Sequence, residues 1–291
     1  MSARAWAELL RLPALFTVPG DALAGAAATG ARPGARTLLA IGSSLCLYEA
    51  GMALNDWADR VEDARERPHR PLPSGRVRPA AALGAACALT GAGLALAARA
   101  GRPALAVAAP LAATVWSYDL ALKPTPAGPV AMAAARGLDL LLGAAATGGR
   151  TRPALPSAAL LGTHTLAVTT VSRRETQGGS SLAPLAALAT SALLTRLLTG
   201  RPAQRRTATG RTAVLRTALA AGYAATAGRP YLHALLNPSP PLTQRAVGGG
   251  IRATIPLQAA LAARSGARVT ALAIAALAPI GRTYAKKVSI T

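Results

Sequence analysis

Residues 36–63 read RTLLAIGSSLCLYEAGMALNDWADRVED, an apolar run that ends abruptly in acids. About 20 apolar residues carry a helix across a bilayer, and residues 36–58 meet that length. Five of the chain's 11 Asp and Glu residues then fall within one short stretch: Asp56, Asp59, Glu62, Asp63 and Glu66. On a helix, Asn55, Asp59 and Asp63 follow at i, i+4 and i+8, with Asp56 three residues before Asp59, so one face gathers three carboxylates and a carboxamide. Two things relieve the repulsion among them. One is local ion pairing, because Asp56–Arg60, Asp63–Arg67 and Glu66–Arg70 have the favourable i, i+4 order. The other is a hard divalent cation such as Mg²⁺, which binds through one or two carboxylates together with substrate phosphates. Concentrating scarce acids at a membrane boundary favours the metal, since ionisable groups at that depth mark functional sites.

The next segment, Arg67 to Gly75, reads R-P-H-R-P-L-P-S-G. The planar fork of arginine matches phosphate oxygens, and the prolines limit the entropy lost on ordering the loop. No Walker A sequence is present, which argues against a P-loop nucleotide site.

Farther out, the composition suits a polytopic membrane protein. Of 291 residues, 52% are hydrophobic and 15% charged, with Ala and Leu dominant and aromatics few. Small residues let membrane helices approach closely, and the alternating short segments of a membrane β-barrel are absent. Further spans are expected at 6–28, 79–99, 103–121, 129–149, 154–172 and 181–199. Weaker ones, interrupted by Gly, Pro and Arg, follow near 211–236, 244–264 and 267–284, giving nine or ten in an all-α fold. Residues 1–20 lack the charged start and unbroken apolar core of a secretory signal and read as the approach to the first span. Nothing marks a second domain, so residues 1–291 are expected to form one. The net charge of +21 comes from arginines scattered between apolar runs, without a recognisable nucleic-acid module. Cys46 and Cys87, both in apolar segments, form neither a disulfide framework nor a CxxC site. The arginines between the second and third spans place that loop in the cytoplasm by the positive-inside tendency.

N-D-x-x-D-x-x-x-D followed by R-P-L-P-S-G resembles the UbiA superfamily of intramembrane prenyltransferases, in spacing and in order along the chain. Tyr118 and Lys123 in Y-D-L-A-L-K resemble that family's Tyr-to-Lys loop, and Gly128 to Gly143, with Arg136, resembles the segment opening its fifth helix. The resemblance covers most of residues 6–264. It implies about nine transmembrane helices around a central cavity, in a bacterial cytoplasmic membrane, with the active site facing the cytoplasm. It further implies that Asn55, Asp56, Asp59 and Asp63 hold Mg²⁺ on a prenyl diphosphate, that Arg70 and Lys123 contact its oxygens, and that Tyr118 lies nearby. The sequence departs from the family between spans six and seven. There V-S-R-R-E-T-Q-G-G, Val171 to Gly179, is similar to the branch typified by EboC proteins and carries one acid where relatives have a second Asp-rich motif. Glu175 is then a candidate for a second ion, and Arg173 and Arg174 are candidates to replace its charge.

The reaction implied is ionisation of an allylic diphosphate and transfer of the prenyl group to an unidentified acceptor, aromatic compounds among the candidates. Trp57, Trp116 and Tyr118 are placed either to face the allylic cation or to form an ordinary interfacial belt. Asp21 and Glu49 lie within spans and either position the acceptor or bond neighbouring helices. Asp139, with Arg136 at i−3, reads as a structural ion pair. His164 reads as a hydrogen-bonded helix contact, and His69 as an exposed loop residue. The rival readings are cyclisation of the prenyl diphosphate itself, transport along a path lined by Asp21, Glu49 and Arg136, and lipid binding without turnover.

Overall fold

The computed structural model describes residues 3–173, 180–200 and 210–288, and every regular element among them is helical. Twelve α-helices follow in order: α1 (Ala3–Leu9), α2 (Pro19–Ala28), α3 (Ala35–Ala58), α4 (Arg60–Glu66), α5 (Pro79–Ala100), α6 (Arg102–Ser117), α7 (Gly128–Gly148), α8 (Leu155–Ser172), α9 (Leu182–Thr199), α10 (Gly210–Leu236), α11 (Pro240–Arg264) and α12 (Arg268–Val288). Six stretches among the described residues are long and apolar enough to cross a membrane: α3, α5, α6 with its extension to Leu122, α7, α8 with its lead-in turn, and α9. The chain is therefore an integral membrane bundle. Helices α10 and α11 are longer still but carry Arg211, Arg216, Arg229, Arg245 and Arg252, which lowers their apolar character.

The expected first span at 6–28 is not one helix. After α1 the backbone turns through Arg11 in a left-handed conformation (φ 49°), then through a 3-10 turn over Leu12–Thr17, before α2 begins. Pro13 and Pro19 cause the break, because proline has no N–H to give a preceding turn and its ring clashes there. The detour carries the Arg11 side chain to the end of α3.

Consecutive helices from α5 onward pack as antiparallel neighbours, with α3 against α5 and α7. The short α2 sits among α3, α7, α8, α11 and α12, and most of its residues are buried. Two glycines make this possible. A Cβ on Gly25 would stand 1.9 Å from the Leu140 carbonyl oxygen, and one on Gly143 would stand 2.2 Å from that of Ala22. Backbones of α2 and α7 thus touch, as small residues permit between membrane helices.

This alternation gives the bundle two ends. One holds the C-termini of α3, α6 and α8 and the N-termini of α5, α7, α9 and α11. The other holds the α2–α3, α5–α6, α7–α8, α9–α10 and α11–α12 connections.

Candidate active site

At the first of these ends a cavity of about 680 Å³ opens between α3, α6 and α7 and reaches Ser172 of α8 and Gln244 of α11. Its outer part is charged, lined by Arg11, Asn55, Asp59, Arg70, Asp119 and Lys123. Its inner part mixes Ser44, Tyr48, Arg136 and Asp139 with apolar Leu47, Met52, Leu111, Val115 and Met132.

Helix α3 delivers the acidic motif to the cavity. It ends at Ala58, Asp59 takes ψ 0°, and α4 resumes at Arg60. Helical hydrogen bonds still bridge the step, from the Asp59 amide to the Asn55 carbonyl (2.9 Å) and from the Asp63 amide to that of Asp59 (2.8 Å). Asn55 and Asp59 line the cavity while Asp56 and Asp63, on the adjacent strip of the helix at about 100° per residue, are buried behind it, 5% and 2% exposed. The Asn55 amide donates to Asp119 Oδ1 at 3.1 Å, and the Lys123 ammonium is ion-paired with Asp59.

Asp56 and Asp63 hold arginines. Arg11 reaches Asp56 at 3.1 Å, while Arg70 reaches Asp63 at 2.7 Å and Asp56 at 3.7 Å. Of the three local pairs expected from spacing, only Asp63–Arg67 forms, at 3.5 Å. Arg60 instead stacks 4.4 Å over the Trp57 ring and donates to the Trp57 carbonyl, and Arg70 turns back to Asp63. For Arg70 the buried carboxylate of Asp63 wins over the exposed one of Glu66, because pairing with it is less screened by water.

Deeper in, Arg136 lines the cavity, but its partner is not Asp139. Its Nε lies 3.1 Å from Asp21 Oδ2 on α2, and a terminal nitrogen donates to the Thr17 hydroxyl at 2.9 Å. Gln258 of α11 donates to Asp21 Oδ1 (2.6 Å) and to the Thr17 carbonyl (2.7 Å). Asp139 accepts the Ser44 hydroxyl. The backbone contact at Gly25 and Gly143 brings Asp21 within reach of α7. Asp21 therefore bonds neighbouring helices, and Glu49 is buried without lining the cavity.

Tyr118 lines the cavity from a π-helical turn over Tyr118–Leu122, whose wide ring closes with the Lys123 amide on the Tyr118 carbonyl (2.9 Å). Trp57 and Trp116 do not line it: both pack in the apolar cluster around α1 and α5, and Trp116 Nε1 donates to Thr90 at 3.0 Å. Arg173, at the end of α8, lies at the same end of the bundle as Asp59. It donates to the carbonyls of Thr125 and of Pro124 (3.3 Å for the latter). Arg174 and Glu175 lie outside the described residues. His164 is buried between the Tyr223 hydroxyl (3.1 Å) and the Gly250 carbonyl (3.0 Å) as a helix contact. His69 is exposed in its loop.

Arg11, Tyr48 and Asp119 escaped sequence reasoning. Asp119 had a signal, being an acid beside Tyr118 and four residues before Lys123 in an acid-poor chain. Arg11 had none, since only the broken first span brings it in.

Among the described residues no three His, Cys, Asp or Glu side chains converge as a closed metal cage. The donor set at the mouth is Asp59, Asp119 and the Asn55 carboxamide. It suits an ion that takes one or two carboxylates and completes its shell from phosphate, as Mg²⁺ does.

Comparison with known proteins places this arrangement. Over 158 residues the chain is 36% identical to digeranylgeranylglyceryl phosphate synthase of Methanopyrus kandleri, covering 52% of this chain and 56% of that protein, about half of each. The apo UbiA homologue of Aeropyrum pernix superposes with a TM-score of 0.70 at 20% identity, over 85% of this chain and 96% of that one. The UbiA homologue of Archaeoglobus fulgidus bound to GPP and Mg²⁺ gives 0.63 at 18% identity, over 94% and 99%. Both likenesses speak for the fold. The sequence profile of the UbiA prenyltransferase family matches residues 14–237, more than three quarters of the chain, and the chain belongs to that family.

Proposed function

We propose that this chain is a Mg²⁺-dependent intramembrane prenyltransferase that ionises an allylic prenyl diphosphate and transfers the prenyl group to an acceptor. The observation that carries the reading is the juxtaposition, at one cavity mouth, of Asn55, Asp59 and Asp119 with Arg11, Arg70 and Lys123. A fold neighbour bound to GPP and Mg²⁺ supports it.

Asn55, Asp59 and Asp119 would hold the ion, which supplies charge neutralisation at the diphosphate. Arg11 and Arg70, held in place by Asp56 and Asp63, present N–H donors where phosphate charge builds as the allylic C–O bond breaks and its electron pair leaves with the diphosphate. Lys123 adds a third cation. Asp56 and Asp63 are thus positioning residues: they fix guanidinium groups that would otherwise sample many rotamers. Leu47, Met52, Leu111, Val115 and Met132 keep water from the allylic cation, and the rings of Tyr48 and Tyr118 offer it their faces. Ser44 and Asp139 line the inner part of the cavity, where they would meet a nucleophilic acceptor. The relative's product name points to a glyceryl phosphate as one acceptor to test. The mouth faces the cytoplasm in this reading, because the connection from α3 to α5 carries six arginines, more than any single connection at the other end.

Purified protein in detergent, supplied with geranyl, farnesyl or geranylgeranyl diphosphate, should bind at least one of them with Mg²⁺ and none with EDTA. Addition of an acceptor should then release pyrophosphate. Binding that is indifferent to divalent ions, or absent for all three, overturns the proposal.

A further inference from the structure

The end of the bundle away from the active site carries a second cavity, of about 830 Å³, between the α2–α3 and α11–α12 connections. Arg32 and Arg268 stand on its rim, both exposed and neither in an ion pair among the described residues. Its walls are apolar, from Leu23 and Ala27 on one side to Val269 and Ala273 on the other. Val269 is 82% exposed on the outer face of α12.

The charge around this cavity is one-sided. Each of the five connections at this end carries arginine in its loop or flanking turns, and none carries Asp or Glu among the described residues. The sequence from residue 176 to the C-terminus contains no acid at all. Such a surface attracts anions. Two unpaired guanidinium groups above an apolar trough match an amphiphile with an anionic head and hydrocarbon tails. The volume suits a phosphoglycerol head with the first part of its chains.

We propose that this cavity binds one anionic phospholipid, its phosphodiester on Arg32 and Arg268 and its acyl chains along Val269 and Ala273. A soluble anion would need only the arginines. The apolar wall, continuous with an exposed helix face, is what selects a membrane lipid.

Native mass spectrometry of the full chain in detergent, titrated with dioleoyl-phosphatidylglycerol or dioleoyl-phosphatidylcholine, tests this. Phosphatidylglycerol should be retained roughly tenfold more tightly or better. Arg32→Gln with Arg268→Gln should remove that preference. Arg99→Gln with Arg102→Gln, an equal charge loss at a neighbouring connection, should leave it. Ala273→Phe, at an exposed site that cannot disturb the core, should weaken lipid retention by filling the trough. Equal retention of the two lipids, or equal loss in both arginine pairs, overturns the proposal. So does displacement of the bound lipid by millimolar inorganic phosphate, which would mark a free-anion site.

Discussion

The two ends of this bundle use arginine differently. At the candidate-site end several cations are paired with carboxylates, among them Arg11 with Asp56, Arg70 with Asp63, Lys123 with Asp59 and Arg76 with Glu8. At the other end arginines crown every connection and no carboxylate answers them among the described residues. Pairing fixes a guanidinium in space, which phosphoryl-leaving chemistry requires. Leaving it unpaired keeps it available to whatever anion the surroundings supply. The same residue type is therefore fixed by pairing at one end and forms a charged surface at the other, and the distribution of 11 acids makes the difference.

The sharpest way to break this contrast is to delete charge at each end. Asp59→Ala should lower Mg²⁺-dependent turnover by about 10³-fold, the scale for removing a preorganised electrostatic contact. Arg102→Gln, at the far end, should leave turnover unchanged. Steady-state assays of both variants decide whether the ends differ in function or only in composition.

Next in size is the buried pair that joins the cavity to the core. Asp21→Ala leaves the Arg136 guanidinium buried without its carboxylate and should cost about 3 kcal/mol of stability, read by thermal unfolding in detergent. An unchanged melting point would mean that Arg136 finds Asp139 instead.

Arg173→Ala tests whether the segment after α8 belongs to the site. Its present partners are backbone carbonyls of the loop that follows Lys123. If it serves the diphosphate, affinity for a non-hydrolysable prenyl diphosphate analogue should fall by about 2 kcal/mol, as for a hydrogen bond to a charged group. Glu175→Gln separates the alternative at the neighbouring acid: lost activity restored by extra Mg²⁺ would favour a second ion there.

Gly143→Ala should act on stability alone. Its new methyl meets the α2 backbone and forces the helices apart, costing about 1–2 kcal/mol without changing Mg²⁺ dependence. The smallest effect is expected at Glu8, gripped by Arg76 at 2.6 and 3.0 Å on the surface. The hydrogen bond from Arg76 holds the Glu8 carboxyl below its usual range. Its contribution is therefore complete above the unfolded carboxyl pKa and fades as pH falls through the lower folded value. Solvent screening keeps it under about 1 kcal/mol, so Glu8→Gln should move the melting point only slightly at pH 7 and not at all at pH 2.

The sequence by itself determined the helical membrane fold, through runs of apolar residues of bilayer length, and drew attention to the candidate site, through acids gathered where α3 ends. Those are one-dimensional properties: counting along the chain is enough, and the motif from Asn55 to Asp63 needs no partner to be seen. Only the tertiary structure decided which of those acids face the cavity. Asn55 and Asp59 line it while Asp56 and Asp63 are buried behind, a division set by how α3 is rotated against α6 and α7, which the sequence of α3 does not contain. Tertiary packing also chose the partners, Arg11 for Asp56 and Asp21 for Arg136, over the nearer residues that spacing favours. The physical reason is that burial strengthens an ion pair more than proximity in sequence does, and burial is set by which backbones can touch, here α2 and α7 through Gly25 and Gly143.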